Sequence, residues 1–178
     1  MLLVKSVALA ALAAVLAVSS APAPAGAQDI FAGFVVARVC LPYASRAKSF
    51  ESAIRAARDL EFRRPVGDNA PLEDWASEVE LVSSDGRWRL RIEEGPVADG
   101  DAEVYAVTCG VWSNQASARE LARVAGLIVQ DNPRWSRPAD APWRWDRRTS
   151  RPDEIAIRID VTETPGERPV LAARGFYY

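Results

Sequence analysis

The chain has 178 residues, 49% hydrophobic and 26% charged, with 22 basic and 24 acidic side chains and a formal net charge of −2. A charge so close to zero provides no general attraction to nucleic acid or to an anionic membrane surface. The sequence contains no histidine, which excludes Ser–His–Asp triads, Cys–His dyads and the His-Glu-x-x-His zinc helix. Two cysteines cannot form a four-cysteine zinc site, and no acidic calcium loop is recognisable, so we predict no cofactor and no metal ion.

Residues 1–27 are typical of a cleavable export signal. Lys5 is followed by an apolar run of about 12 residues, and the segment ends in the small residues Ala25-Gly26-Ala27. Because a spanning helix needs roughly 20 apolar residues, we predict cleavage before Gln28 and no stable membrane insertion, a retained anchor being the alternative. The predicted mature chain, residues 28–178, is a single periplasmic or secreted domain.

The segment from Asp29 to Leu41 is open to two interpretations. Asp29 is a suitable helix N-cap, and apolar residues follow it near helical spacing as far as Pro42, which is expected to end the helix. Its β-branched valines also suit a strand. We predict the helix.

Ser49 is predicted to cap a second helix that runs to about Leu60 and buries one apolar face. Residues 64–77 are rich in Pro, Gly, Asp and Asn, which predicts a loop with one helical turn at residues 72–76.

A hairpin is predicted around the turn Ser84-Asp85-Gly86, because polar and apolar residues alternate on both sides of it. Glu80 and Arg89 are expected to meet across its polar face. After a turn-rich segment from Gly95 to Gly100, a third strand is predicted from Ala102 to Trp112. The residues expected on its core face are Tyr105, Val107, Cys109 and Val111.

Ser113 or Asn114 is predicted to cap a third helix that extends to about Gln130. Two further strands are predicted at residues 154–162 and 169–178, joined by a turn at Pro165-Gly166. The last of these is expected to be an edge strand, the alternative being a docking tail that ends in aromatic residues.

This order of elements predicts an α+β fold in which two or three helices cover one face of an antiparallel sheet of about five strands. A lipocalin-like barrel is not favoured, because it needs about eight strands. An oxidising compartment favours one disulfide, between Cys40 and Cys109, and the lack of Cys-x-x-Cys spacing argues against a redox pair. This bond would hold the first helix against the third strand.

The segment 131–152, called the Trp/Arg segment below, contains three of the six tryptophans and is predicted to be irregular. Interleaved indoles and guanidinium groups can bind sugars, peptides or anionic polymers, so we predict that it forms the partner-binding surface. The alternative is that the tryptophans pack the segment onto the sheet. The candidate residues are Trp135, Trp143, Trp145, Arg144, Arg147 and Arg148.

Two catalytic interpretations are open but not favoured. Glu93 and Glu94, beside Glu78 and Glu80 of the paired strand, could in principle supply two carboxylates at glycosidase separation. Glu93 and Glu94 cannot themselves form such a pair, because adjacent strand residues point to opposite faces. Ser45-Arg46-Ala47-Lys48 matches Ser-x-x-Lys in letters alone, without the partner motifs of that enzyme class.

The stretch from Phe34 to Cys40, followed by an alanine-rich helix, resembles small uncharacterised exported proteins of proteobacteria. The residues of the second part of this pattern are Phe50, Ala53, Ala57, Leu60 and Phe62. The resemblance covers residues 30–62 and implies no activity. It departs from the family's pattern where Glu61 stands in place of a helix-ending glycine.

From the sequence we therefore predict a non-enzymatic periplasmic binding or interaction domain. Its partner is expected to be a protein or a cell-envelope polymer, and nucleic acid is not expected because the chain is predicted to be exported and has no net positive charge. The alternatives are a carboxylate-dependent hydrolase of cell-wall glycan and a small secreted enzyme inhibitor.

Overall fold

The computed structural model describes residues 25–65, 77–99, 102–151 and 154–177. The predicted signal segment up to residue 24, the turn at residues 72–76 and the terminal Tyr178 lie outside the described residues. So does most of the predicted loop at residues 64–77.

Helices occupy three parts of the described chain. The first part begins at Ala25, before the predicted cleavage point. It consists of an α-helix, a π-helical turn and a short second α-helix in direct succession. Ser49 caps the next helix as predicted, since its hydroxyl accepts a hydrogen bond from the backbone N–H of Ser52. The helices are α1 (Ala25–Val35), the π-helical turn (Val36–Cys40), α2 (Leu41–Ala44), α3 (Phe50–Asp59) and α4 (Ala118–Val129).

All strands of the described chain belong to one antiparallel sheet of eight strands. They are β1 (Phe62–Arg63), β2 (Glu78–Ser83), β3 (Trp88–Asp99), β4 (Ala102–Ser113), β5 (Trp135–Ser136), β6 (Arg144–Arg147), β7 (Ala156–Thr162) and β8 (Val170–Tyr177). Their order in the sheet is β1-β2-β3-β4-β8-β7-β6-β5.

The strand order divides the domain into two similar halves. In each half, helical structure precedes a four-stranded antiparallel meander, β1 to β4 in the first and β5 to β8 in the second. The two meanders meet through their last strands, because β4 pairs with β8 from Tyr105 opposite Tyr177 to Val111 opposite Leu171. The junction therefore lies in the middle of the sheet.

The core lies between the helices and one face of the sheet, called the helix face below. Because side chains alternate along a strand, the buried residues of each strand mark this face. In the four central strands these include Leu90, Ile92, Val107, Cys109, Val111, Ile157, Ile159, Leu171 and Ala173. The opposite side of the sheet is called the open face.

The predicted disulfide is confirmed, and it ties the helical layer to the centre of the sheet. Cys40 and Cys109 are bonded, with their Cα atoms 4.9 Å apart, and both are fully buried. The bond joins the end of the π-helical turn to β4. α2, which follows at once, is thereby fixed against β4 and β8.

The α+β class and the antiparallel sheet are confirmed, but the prediction of about five strands is wrong. The three additional strands are β1, β5 and β6, which have two, two and four residues. Strands this short do not contain enough alternating positions to be recognised in a sequence. The Trp/Arg segment is consequently not irregular throughout, since β5 and β6 lie in it.

The end of the first helix and the cap of α4 also differ from the prediction. Pro42 does not end the helix. The Leu41 N–H donates to the Val36 carbonyl across the π-helical turn, and Pro42 lies in the first turn of α2, where a proline is tolerated. The cap of α4 is Ser117, which forms a reciprocal capping box with Glu120.

Three predictions about the strands are also wrong. The segment from Gly95, predicted to be a turn, is part of β3, and its Pro96 pairs with Tyr105 of β4. Among the described residues the pairing of β3 with β2 ends at Glu93, so Pro96 has a paired strand on one side only, where a proline is tolerated. β8 is an inner strand, since it has β4 on one side and β7 on the other. Tyr105, expected in the core, is 44% exposed.

No helix among the described residues has the length and apolar character that crossing a membrane requires.

Candidate functional site

The open face carries a cavity of about 300 Å³ at the junction of the two meanders. Alternate residues of β4 and β8 form its middle, and β3 and β7 border it on either side. It is lined by Arg91, Glu93, Thr108, Gly110, Trp112, Thr162, Val170, Ala172 and Arg174. The cavity thus lies on the side of the sheet opposite the helices.

Small residues create the depth of this cavity. Gly110 of β4 and Ala172 of β8 are paired at its centre and are buried beneath the longer side chains around them. Trp112 and Val170 form an apolar end, and Thr108 and Arg174, also paired, form a polar end. The combination of an apolar wall with a few polar groups is typical of small-molecule sites.

Ion pairs within and between strands surround the cavity on the open face. Arg174 of β8 is paired with Asp160 of β7, and Arg89 of β3 with Glu80 of β2, as the sequence predicts. The Asp146 carboxylate receives two guanidinium groups, from Arg144 at 2.8 Å and from Arg158 at 3.1 Å. These contacts fix the orientation of the arginines.

The tryptophans of the Trp/Arg segment lie in two different environments. Trp145 is only 7% exposed and belongs to the core, where its indole lies near Gly126 of α4. Trp135 is partly buried and lines a crevice beside α4 together with Trp145. Trp143, in contrast, is 36% exposed.

Trp143 lines a second cavity of about 440 Å³, which contains open-face residues of β6 and β7. Arg144, Arg158 and Asp160 contribute to it, and Thr162 lines both this cavity and the central one. The two cavities are therefore neighbours. Of the six candidate residues, Trp143 and Arg144 are the two that line the cavities of the open face.

Arg147 and Arg148 are engaged in holding the Trp/Arg segment together. The Arg147 guanidinium donates to the carbonyl of Ile155 and lies 3.6 Å from the Glu154 carboxylate, while its Nε is buried without a partner in the described chain. Burial lowers the pKa of Arg147, and the nearby Glu154 acts in the opposite direction. Arg148 is exposed and pairs through its backbone with Arg134.

A second polar cluster lies on the helix face, at the end of α2. Arg46 donates to the Tyr177 hydroxyl at 2.8 Å and to the Glu94 carboxylate at 2.9 Å. Arg46 directly follows Ser45, the C-cap of α2, and has a φ of 58°. This left-handed conformation is common just after the end of a helix. The nearby Tyr43 hydroxyl donates to the carbonyl of Glu93, and burial raises the pKa of Tyr43 far above its usual value, with a smaller contribution from Glu94. We interpret this cluster as a tie between α2 and the sheet.

The catalytic candidates are separated or engaged elsewhere. Glu93 lines the central cavity, whereas Glu94 points to the helix face and contacts Arg46. Glu80 is held by Arg89 and lies 3.9 Å from Arg91. Ser45, from the Ser-x-x-Lys string, donates to the carbonyl of Pro42 and so helps to end α2.

Trp112, Thr108 and Arg174 were not predicted as site residues from the sequence. The signal for the first two was present in β4, where Thr108, Gly110 and Trp112 alternate with the core residues predicted there. The neighbouring β8 could not be assigned to the same site, because its pairing with β4 is a tertiary feature.

No family model, no curated protein and no solved structure matches this chain. Among the described residues, no three Cys, Asp or Glu side chains come together in a group able to hold a metal ion.

Proposed function

We propose that this protein is an exported, non-enzymatic binding module whose ligand occupies the open face of the sheet. The observation that supports it best is the central cavity, which has small residues at its floor and lies at the junction of β4 and β8. An antiparallel sheet often leaves one face to solvent, but a solvated face does not require such a depression.

The disulfide supports the proposed export. Cys40 and Cys109 are buried and bonded, and structural disulfides of this kind persist in oxidising compartments such as the periplasm. The bond holds α2 against the junction of the two meanders, so it also rigidifies the strands that carry the cavity.

Within the Trp/Arg segment, the proposal assigns ligand contact to Trp143 and Arg144. Both line the second cavity, next to the central one. Trp145 is better described as a core residue, because it packs under α4. Its replacement would therefore damage the fold and is unsuitable as a test of binding.

The hydrolase alternative requires two carboxylates that face one ligand. Glu93 lines the central cavity, but Glu80 is engaged by arginines of β3, and Glu78, opposite Glu93, lies 3.4 Å from Arg91 and does not line the cavity. The geometry therefore favours binding over cleavage. Any ligand recovered can be analysed for shortened products. If these appear with the wild type and are absent with Glu93→Gln, the protein is a hydrolase.

The experiment compares retention of glycan and protein fractions of a bacterial envelope extract on the immobilised protein and on two Ala→Leu variants. Ala172→Leu places a larger side chain in the central cavity, whereas Ala122→Leu makes the same change in the crevice beside α4. Urea unfolding of both variants establishes that they are folded.

We expect Ala172→Leu to lose most of the retained material and Ala122→Leu to retain it. Equal retention by the wild type and folded Ala172→Leu would contradict the proposal. If both variants are folded and only Ala122→Leu fails to retain the material, the binding site lies beside α4 instead.

A further inference from the structure

The proposed function can be extended to a ligand class, because the charges in the middle of the open face are balanced. Three cross-strand rows, which begin at Glu78, Glu80 and Val82 of β2, cross the middle of this face. They contain five arginines and five acidic residues, which are Arg89, Arg91, Arg144, Arg158 and Arg174, and Glu78, Glu80, Glu93, Asp146 and Asp160. The middle of the open face is therefore balanced in charge, and Arg63 of β1, opposite Val82, adds one basic residue at the edge of the sheet.

The pairing within these rows disfavours a charged ligand. Arg174, Arg158 and Arg144 are each bound to an aspartate of a neighbouring strand or of their own. An anion would have to displace a carboxylate that is already held on the protein, and a cation would have to displace a guanidinium group. An uncharged ligand can instead use the remaining hydrogen-bonding positions without breaking a pair.

The walls of the central cavity favour a flat ligand with one apolar side and polar edges. Trp112, Val170 and the small floor residues Gly110 and Ala172 provide apolar surface. Thr108, Glu93 and Arg174 surround the other end with donors and acceptors. A pyranose ring has these properties, since its C–H groups form an apolar face and its hydroxyl groups point outward.

The second cavity indicates a ligand of more than one ring. It continues from the central cavity at Thr162 and is bordered by a second partly exposed indole, that of Trp143. The two cavities have volumes of about 300 and 440 Å³, within or at the lower limit of the range usual for ligand sites.

We infer that the open face binds a neutral glycan chain, with one sugar ring against Trp112 in the central cavity and another beside Trp143. This inference depends on the proposed function, since it names the ligand of the same surface. The polar contacts come from the paired arginines and acids between the two indoles.

The test is isothermal titration calorimetry with three neutral tetrasaccharides, chitotetraose, cellotetraose and maltotetraose, and with the anionic tetragalacturonate. We expect at least one neutral probe to bind and to bind more tightly than tetragalacturonate, at low as well as at moderate salt. Trp112→Ala should weaken this binding about tenfold, the order of loss expected for one aromatic contact. Trp135→Ala, a matched change beside α4, should leave it unchanged.

The inference would be overturned by no binding of any neutral probe, by tighter binding of tetragalacturonate, or by equal weakening in Trp112→Ala and Trp135→Ala. If one of these results is obtained but Ala172→Leu still abolishes retention of an envelope protein, the proposed binding function stands and only the identification of the ligand as a glycan is wrong. Dimerisation that Ala172→Leu prevents would show that a second copy covers the open face, which also overturns the inference. Neutral-probe binding that survives Ala172→Leu would contradict both proposals.

Discussion

Gly175 of β8 is the position where the packing of the helical layer on the sheet leaves no room for a side chain. A Cβ atom there would lie 1.9 Å from the carbonyl oxygen and 2.9 Å from the carbonyl carbon of Ala44. Both are backbone atoms at the end of α2, so no rotamer change can relieve the contact. α2 would have to move by about 1.1 Å to restore even 3.0 Å.

The disulfide limits that movement. Cys40, four residues before Ala44, is bonded to Cys109 in the strand next to Gly175. We therefore expect Gly175→Ala to lower the free energy of unfolding by about 3 kcal/mol or more, the upper part of the range for overpacking. Two other strand glycines provide matched controls.

At Gly110 the added Cβ would meet a movable side chain, that of Val170 at 2.9 Å, and we expect a loss of about 1 kcal/mol. At Gly95 nothing lies within 4 Å, and Gly95→Ala is expected to be neutral or to stabilise by about 0.5 kcal/mol through the unfolded state. Urea unfolding followed by tryptophan fluorescence measures all three changes.

A second arm tests whether the disulfide is responsible for the rigidity. In the background without the bond, in which both cysteines are replaced by alanine, α2 can retreat and Gly175→Ala should cost less than in the bonded protein. A cost for Gly175→Ala within about 1 kcal/mol of that for Gly95→Ala would refute the reasoning.

Three further predictions concern stability. Replacing Cys40 and Cys109 together by alanine should lower the free energy of unfolding by about 4 kcal/mol, as expected for a bond that spans 69 positions, and an unchanged urea midpoint would contradict this. Ser117→Ala should cost about 1 kcal/mol by urea unfolding, and Asn114→Ala, which removes no cap, less than about 0.5 kcal/mol. Because the pKa of Tyr43 is raised by burial, the folded protein retains a proton that the unfolded chain loses above about pH 10, so stability should fall as pH rises beyond that value. The fall should be smaller in Tyr43→Phe, and equal slopes in the two proteins would argue against this assignment.

The candidate site was predicted only in part, for a physical reason that β4 illustrates. Its alternation identifies Val107, Cys109 and Val111 as core residues, and the same alternation places Thr108 and Trp112 on the other face. Alternation does not reveal which strand lies beside β4. The cavity depends on that neighbour, because its other half comes from β8.

The Trp/Arg segment also shows what the sequence does not reveal. Its composition indicates a contact surface, but composition does not distinguish an indole that faces α4 from one that faces solvent. Trp145 and Trp143 are two residues apart, and only the pairing of β6 with β7 together with the packing of α4 makes the first a core residue.

Features that depend on local pattern and covalent chemistry could be predicted from the residues alone: the helix capped by Ser49, the alternating strands, the α+β class and the one possible disulfide. The eight-strand order, the short strands β1, β5 and β6, and the junction of β4 with β8 are visible only in the folded chain. These features arise from hydrogen bonds and packing between residues far apart in the chain, which leave no periodic signal in either partner. The cavity lies at that junction, so its position could be known only once the two halves were joined.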